Sequence, residues 1–384
     1  MIYLDNAAST AVHPEVVKEM LPYFDVQYGN PSSIHQFGRK AKNAIQKARK
    51  QVAALIGAES SEITFTSGGT ESNNTILYGG LQNRISHIIT STIEHEAILQ
   101  PCQKIVQNGF KVTYLSVDEH GSIDPNDITD SITKDTVLVS IMLANNEVGT
   151  IQPIKEISEI CKKHLIPFHT DAVQAVGKVP INVKELGVDA LSISSHKING
   201  PKGVGALFIK KGLQMTPLIS GGGQENELRS GTENVASIVG FGKACEIAKE
   251  RLSENISHFR TLHSSILSKI VKEIPHVKLN GHPEKRIFNN IHLTFLGVNG
   301  EDMIIKLDEH GIAASTGSAC SVHTQKASHV LKAMGFNHEQ ITGSLRISFG
   351  YTNTLDEVNQ TVEVLKKVVA ELRSVSPYKT KYNF

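Results

Sequence analysis

Cysteine is scarce in this chain, and its few residues exclude several classes of protein. Four cysteines, Cys102, Cys161, Cys245 and Cys320, are spread over 384 residues. No two of them form a C-x-x-C pair, which argues against a zinc knuckle or a thioredoxin-type redox motif. The chain is also not a short, disulfide-dense secreted sequence. We therefore predict reduced cysteines and no resident metal site.

The sequence also lacks long apolar runs and an excess of charge of one sign. No segment approaches the roughly 20 apolar residues that cross a bilayer, and the N-terminus lacks the basic-then-apolar pattern of a signal peptide. The formal net charge is +1, which gives no support to nucleic acid as the main ligand. These absences predict a cytoplasmic protein that binds neither membranes nor nucleic acids directly.

What the sequence does contain is an alternation of short β-branched runs and helical periodicity. The strand-like runs are 63–66, 87–91, 111–117, 136–144, 166–170 and 190–194. Such alternation predicts an α/β fold with a mainly parallel sheet covered by helices. After about residue 230 long helices dominate, which predicts a smaller α+β domain. The tail from Ser374 onward, with Pro377, is expected to be loosely ordered.

Glycines and hydroxyl residues follow the first predicted strand, in the segment Ser67-Gly-Gly-Thr-Glu-Ser72. This segment opens a predicted helix. A helix N-terminus supplies unpaired N–H groups, and glycines let the backbone approach an anion, so the segment suits a phosphate. The alternative is an ordinary turn in which Ser67 or Thr70 caps the helix. The segment lacks the lysine and the spacing of a Walker loop.

Three other strand ends carry residues with possible chemistry. His95 would either stack on a ring and move protons, or simply begin a helix. Asp171 suits a protonated pyridine nitrogen and Gln174 a phenolic oxygen, although Asp171 is also a possible helix cap. Lys197 directly follows a buried strand, where desolvation of an amine favours a Schiff base; the alternative is a loop lysine in solvent. Together these residues are what a pyridoxal 5'-phosphate (PLP) cofactor requires.

A larger set of motifs runs over nearly the whole chain. It comprises Tyr3–Ala8, Gly29–Ser33, Thr66–Glu71, Glu94-His95, Asn145–Gly149, Asp171–Gln174, Ser195–Lys197, Gly221–Gln224, Arg229–Thr232 and Ser318–Cys320. With these motifs the sequence closely resembles the group I cysteine desulfurases, the NifS/IscS-like members of the class-V aminotransferase family. The resemblance implies a fold-type I PLP enzyme. It implies a mainly parallel seven-stranded sheet in a large domain (13–255) and a smaller α+β domain (1–12 and 256–384).

The resemblance also implies a role for each matching residue. Lys197 would hold PLP as a Schiff base and act in catalysis with His95 and Cys320. Asn146 and Arg346 would contact the substrate, and the planar fork of Arg346 suits an α-carboxylate. The residues implied to bind the cofactor are Gly69, Thr70, His95, Asn146, Asp171, Gln174, Ser194, His196, Lys197 and Thr232, the last from the other subunit of a homodimer.

Cys320 is implied to accept sulfur. Its loop, about residues 314–328, is small and polar, which suits a segment that carries a persulfide away from the active site. The implied reaction converts L-cysteine to L-alanine and leaves sulfur on Cys320 as a persulfide. The implied acceptors are an iron–sulfur scaffold, a tRNA-thiolation enzyme or a thio-cofactor pathway. Cys320 would also contact a nascent iron–sulfur cluster.

The sequence leaves other functions open. A selenocysteine lyase or another fold-type I aminotransferase can share this scaffold. A competition assay between cysteine and selenocysteine distinguishes a selenocysteine lyase from a cysteine desulfurase. An aminotransferase would not need Cys320. A sulfur-carrier partner with an inactive site belongs to a different class, and the intact set of Lys197, Asp171, His95 and Cys320 argues against it.

Replacement of the proposed acceptor gives the first test. Cys320→Ser should abolish sulfide release from L-cysteine, because the thiolate that attacks the substrate sulfur is gone. The visible absorbance of bound PLP should remain. Mass spectrometry after cysteine addition should find the mass of one added sulfur atom on Cys320 of the wild type and none in the variant. Retained turnover in the variant would refute the role of Cys320.

Overall fold

A computed structural model describes residues 1–80, 86–317 and 327–382. The described helices, α1 to α15, span Pro14–Met20, Pro22–Asp25, Gln36–Ile56, Gly69–Gly79, Glu96–Gln107, Pro125–Ser131, Ile154–Lys163, Val183–Leu186, Val235–Glu250, Leu252–Glu273, Gly300–Glu309, His329–Ala333, His338–Thr342, Leu355–Ser374 and Lys379–Tyr382. The described strands, β1 to β12, span Ile2–Tyr3, Ile63–Thr66, His87–Ser91, Lys111–Leu115, Thr136–Ser140, Phe168–Asp171, Ala190–Ser194, Gly205–Ile209, Val277–Asn280, Asn290–Phe295, Ile312–Ala313 and Ser344–Ser348. None of these helices has both the length and the apolar composition that a membrane crossing requires.

Seven strands form one sheet in the order β2-β8-β7-β6-β5-β3-β4. Strand β8 runs antiparallel to both of its neighbours, and the other adjacent pairs are parallel. Every residue of β6 and β7 is buried, which explains why β7 consists of apolar and small residues rather than an alternating pattern, and the ring of His169 in β6 is hydrogen-bonded to Ser140 and Ser192. The predicted α/β class and mainly parallel seven-stranded sheet are confirmed.

Some predicted boundaries differ from the observed ones. Strand β5 ends at Ser140, whereas the apolar run continues to Ala144. Residues 141–144 are still buried, and the N–H groups of Ile141 and Leu143 donate to the backbone oxygens of His169 and Asp171 in β6. The first long helix begins at Gln36 rather than Ile34, since the ring of His35 caps it by accepting a hydrogen bond from the N–H of Gly38. It ends as predicted at Gly57, whose φ of 72° favours glycine.

A second hydrophobic core lies outside the large sheet. The strands β12, β10 and β9 form an antiparallel sheet in that order, and helices α10 and α14 pack on its side of the molecule. The N-terminal residues Ile2 and Leu4 belong to this core, and β1 pairs in parallel with β11. On the basis of these two cores we propose the division into 13–255 and 1–12 with 256–384. The boundaries themselves stay a prediction.

The C-terminal tail is more regular than expected. Helix α14 continues to Ser374, and residues 379–382 form one further helical turn. The Lys381 Nζ lies 2.7 Å from a carboxylate oxygen of Glu339, which attaches this turn to helix α13. The expectation of a loosely ordered tail is therefore wrong for the described residues up to Tyr382.

A buried ion pair fixes the glycine-rich segment after β8 to the edge of the large sheet. The guanidinium of Arg49 forms two hydrogen bonds, of 2.6 and 2.7 Å, with the carboxylate of Glu225. The same carboxylate accepts from the backbone N–H of Phe65 in β2 at 2.8 Å. Glu225 and the next two residues have φ values of 50°, 57° and 67°, which L-residues rarely adopt. The ion pair therefore holds a strained segment in place.

Loss of one partner of this pair should be strongly destabilising. Glu225→Gln leaves the buried Arg49 without a counter-charge, so the free energy of unfolding should fall by about 3 to 5 kcal/mol. Urea unfolding followed by circular dichroism measures the change. The control is Glu59→Gln, which breaks the exposed Lys184–Glu59 pair and should change stability by less than about 1 kcal/mol. Equal effects of the two variants would contradict this assignment.

Candidate active site

The carboxyl ends of the parallel strands surround a cavity of about 260 Å³. Nine of the ten residues predicted to bind a cofactor line it: Gly69, Thr70, His95, Asn146, Asp171, Gln174, Ser194, His196 and Lys197. The tenth, Thr232, is exposed and does not line this cavity. Residues far apart in sequence meet here because each follows or ends a strand of one sheet.

The glycine segment after β2 forms one wall of the cavity. Gly69 begins helix α4, so free backbone N–H groups lie at this wall. A Cβ atom on Gly69 would lie only 2.7 Å from the Cγ2 of Val173, and Gly68 has a φ of 152°. The hydroxyls of Thr66 and Ser72 lie 2.8 Å apart and fix the turn from inside. The wall is therefore shaped to accept an anion close to its backbone.

Asp171 lies at the floor of the cavity with its carboxylate held in two directions. One oxygen accepts from Nδ2 of Asn73 at 2.7 Å and the other from the N–H of Val173 at 2.9 Å. No described helix begins directly after Asp171, so the alternative interpretation as a helix cap is wrong.

Sequence reasoning missed Asn73 as a residue of the site. Its position one helical turn after Gly69 was the available signal, because that spacing places both residues on the same face of α4.

His95 begins a helix, as one of the two interpretations predicted, while its role on a cofactor ring stays a prediction. It caps helix α5, since its Nδ1 accepts from the N–H of Ala97 at 3.1 Å, and it also lines the cavity. Burial lowers the pKa of the His95 ring. The nearby Asp171 raises this pKa, and Lys197 lowers it further. The ring is therefore neutral near pH 7, with the proton on Nε2. A neutral, flat ring suits stacking on a cofactor.

Lys197 lies in a short turn directly after β7. Its Nζ donates to the backbone oxygens of Ala7 and Ala8, at 2.6 and 2.8 Å. The adjacent His196 has its pKa lowered to about 4, chiefly by burial and also by Lys197 and Lys202. Lys197 is partly buried between the cavity and the N-terminal segment, so the alternative of a lysine in open solvent is wrong.

Arg346 and Asn146 lie together at the edge of the cavity, where β12 of the smaller core approaches the large sheet. The Arg346 Nη1 donates to the backbone oxygen of Asn146 at 2.9 Å, and Nη2 lies 2.8 Å from the carboxylate of Asp5. The buried Nε of Arg346 has no hydrogen-bond partner among the described residues. The structure thus brings the two predicted substrate contacts together, although Arg346 does not itself line the cavity.

Cys320 lies outside the described residues. Its described flanks are close to the site: the oxygen of Gly317 accepts from Arg346 at 3.2 Å, and the hydroxyl of Ser328 bonds to Glu147. The other three cysteines are free and buried. Burial raises the pKa of Cys102 and of Cys161 to about 12 and also raises that of Cys245. These three thiols are therefore poor nucleophiles near neutral pH.

Other lining residues were missed by sequence reasoning. They are Ala8, Asn73, Ala97, Met142, Ala144 and Val173. Most are small or apolar and carry no chemical signal in a single sequence.

Glu94 is buried next to the lining residue Met142. Its carboxyl group accepts hydrogen bonds from the hydroxyl of Ser91 at 2.7 Å and from the N–H of Met142 at 3.0 Å. It joins β3 to the segment after β5.

Glu94 gives a pH test of this arrangement. Burial raises the pKa of its carboxyl from 4.5 to about 8. A raised folded-state pKa contributes stability that is present below about pH 4.5 and is lost as the pH rises through 8. The wild type should therefore lose a few kcal/mol of unfolding free energy over this pH range. Glu94→Gln should not, because its amide does not ionise. Urea unfolding at pH 5.5, 7 and 8.5 measures this loss, and parallel curves for variant and wild type would refute the burial of a neutral carboxyl.

Comparison with known proteins agrees with this geometry. The family model of the class-V aminotransferases matches residues 2–361. The cysteine desulfurase IscS of Dictyoglomus turgidum is 49% identical, with the match covering 99% of this chain and 98% of the relative. A solved NifS-like protein superposes with a TM-score of 0.91 at 40% identity, covering 97% of this chain and 100% of that one.

A solved structure of SspA in complex with cysteine is also similar. It superposes with a TM-score of 0.80 at 36% identity, covering 91% of this chain and 99% of that one. These matches run over nearly the full length and are far above the identity at which only the fold is shared. The chain therefore belongs to the class-V aminotransferase family and is a cysteine desulfurase of the group I, NifS/IscS-like type.

Proposed function

We propose that the cavity holds PLP and that L-cysteine reacts there. The observation that carries this proposal is the position of Lys197 and Asp171 in one cavity with an anion-binding wall between them. An amine, a buried carboxylate and a glycine-rich helix start are the groups that suit the aldehyde, pyridine and phosphate of this cofactor. When bound, PLP withdraws electrons from the α-carbon of an amino acid.

Each lining residue has a proposed task. Lys197 would hold the cofactor covalently, Asp171 would pair with its pyridine nitrogen, and Gln174 would donate to its phenolic oxygen. The neutral ring of His95 would stack on its face. The proposed phosphate ligands are Gly69, Thr70, Ser194 and His196, with Thr232 supplied by a second subunit. Asn73 would keep the Asp171 carboxylate in place through its 2.7 Å hydrogen bond.

Arg346 and Asn146 are proposed to hold the substrate. The guanidinium of Arg346 suits the α-carboxylate of L-cysteine, because a planar fork binds a carboxylate with two parallel hydrogen bonds. Its ion pair with Asp5 fixes the guanidinium beside Asn146 before substrate arrives. Lys197 Nζ, or His95, then moves the α-proton. Exclusion of water by the buried walls of the cavity strengthens these contacts.

Sulfur transfer is assigned to Cys320. Its thiolate would attack the sulfur of the substrate, so that a new S–S bond forms and the substrate C–S bond breaks. The electron pair of the broken bond goes to the β-carbon, which takes a proton and becomes the methyl group of alanine. Cys320 then holds the persulfide. Burial raises the pKa values of Cys102 and Cys161 to about 12, so these thiols stay protonated near neutral pH. We therefore assign the attack to Cys320.

A homodimer is proposed from the surface of the chain. Large apolar side chains are exposed along the N-terminal part, and two more precede the glycine-rich segment: Leu21, Phe24, Val26, Tyr28, Ile34, Leu218 and Ile219. Exposed large apolar side chains in this number favour a protein interface. Thr232 is exposed on the same segment of chain that follows Ile219, which agrees with a role in the site of a second copy. The sulfur acceptor and the cytoplasmic location stay predictions.

The lysine assignment is tested by its removal. Lys197→Ala should leave no covalent protein–PLP bond after borohydride reduction, and desulfurase activity should fall by several orders of magnitude because Lys197 is the one amine among the described lining residues. Mass spectrometry of the reduced protein measures the bond. Lys210→Ala, which removes an exposed lysine paired with Asp189, is the matched control and should keep it. A reducible bond that persists in Lys197→Ala would refute the proposal.

A further inference from the structure

Lys178 is a buried lysine without a described carboxylate beside it. Only 7% of the residue is exposed, and the one described side-chain partner of its Nζ is Oε1 of Gln174, at 3.1 Å. Burial lowers the pKa of Lys178 to about 7, and the charges of Lys197 and Arg346 lower it further in the same direction. A buried cation without a counter-ion is unfavourable, so its presence beside a site indicates a task.

The contact with Lys178 decides which way the Gln174 amide is turned. An ammonium group has only donors, so the atom that faces it must be the oxygen of the amide. The nitrogen of Gln174 therefore points the other way, where it donates one hydrogen to the backbone oxygen of Ala7 at 3.0 Å. The amide nitrogen carries a second hydrogen, and the Gln174 side chain lines the cavity.

We propose that Lys178 is a positioning residue for the cofactor cavity, which fixes the Gln174 amide so that its nitrogen presents a hydrogen-bond donor to an anionic oxygen of the bound ligand. This inference rests on the proposal that PLP occupies the cavity, where its phenolic oxygen is such an acceptor. Without Lys178 only the hydrogen bond to the Ala7 oxygen holds the amide in this orientation, and a turned amide presents its oxygen, which repels an anion. Lys178 thus acts through Gln174 and does not touch the ligand.

The surroundings of Lys178 favour this assignment over a purely structural one. Behind Lys197 lies a small second cavity of about 40 Å³, lined in part by Lys178, His13, Arg251 and Asn6. Among the described residues that line it, none is acidic. Lys197 and Arg346 both oppose a positive charge on Lys178. An anionic ligand beside Gln174 is what would balance this charge.

A double-mutant cycle on PLP binding tests the proposal. The holoenzyme and the variants Lys178→Met, Gln174→Ala and the double variant are stripped of PLP and then titrated with it. Lys178→Met should raise the dissociation constant of PLP about tenfold, the equivalent of one lost hydrogen bond. The double variant should bind no more weakly than Gln174→Ala alone, because the lysine acts through the glutamine.

A spectroscopic readout accompanies the affinities. The pH midpoint of the visible absorption of bound PLP should rise by on the order of one unit in Lys178→Met. The reason is that the hydrogen bond from Gln174, which favours the deprotonated phenolic oxygen, is lost. Gln174→Ala should show the same shift, and the double variant should show no more. The urea midpoint of the cofactor-free Lys178→Met protein should not fall, because removal of an unpaired buried charge does not destabilise the fold.

Several outcomes would overturn the inference. They are an unchanged dissociation constant, an unchanged pH midpoint, or additive losses in the double variant, which would mean that Lys178 acts independently of Gln174. Lys184→Met, which removes an exposed lysine, is the matched control and should bind PLP as the wild type does. Failure of the wild type itself to bind PLP would instead refute the proposed function, so the two failures are distinguishable.

Discussion

The N-terminal segment from Asp5 to Ala8 joins the two halves of the site. The backbone oxygen of Ala7 accepts from both Lys197 and Gln174 of the large sheet. On the other side, the N–H of Ala7 donates to the hydroxyl of Ser348, and the Asp5 carboxylate pairs with Arg346. These contacts connect strand β12 of the smaller core to the lysine at the end of β7. The distance between Lys197 and Arg346 therefore depends on a few residues at the start of the chain.

The distribution of charge in the site follows from burial. Burial raises the pKa of the nearby Glu94 carboxyl to about 8, so that near neutral pH it carries little charge. The carboxylate of Asp171 is instead held by two N–H donors. The groups that suit an anion in this cavity are therefore local donors, namely the helix start at Gly69 and the amine of Lys197, and the proposed phosphate-bearing cofactor fits them. The neutral ring of His95 adds no further charge.

The glycine-rich segment after β8 links stability to assembly. Its strained conformation is held by the buried pair of Arg49 and Glu225 against the edge strand β2. A second ion pair, between Arg229 and Glu71 on helix α4, holds the other end of the segment close to the anion-binding wall. Because Thr232 follows directly and is exposed, the geometry of this segment also determines where that hydroxyl lies on the surface.

The sequence by itself determined the alternation of strands and helices, and it identified nine of the fifteen described residues that line the cavity. It did so because glycines, a carboxylate and a lysine recur at successive strand ends, although each of them alone also has an ordinary structural use. It did not identify Asn73, the Ala7 carbonyl or Lys178, whose roles arise from contacts between residues distant in the chain. Likewise, only the tertiary structure showed that the Asp171 carboxylate is held by two N–H donors and that His95 both caps a helix and lines the cavity. Local sequence encodes secondary structure and residue chemistry, whereas burial, hydrogen-bond partners and pKa shifts depend on packing across the fold.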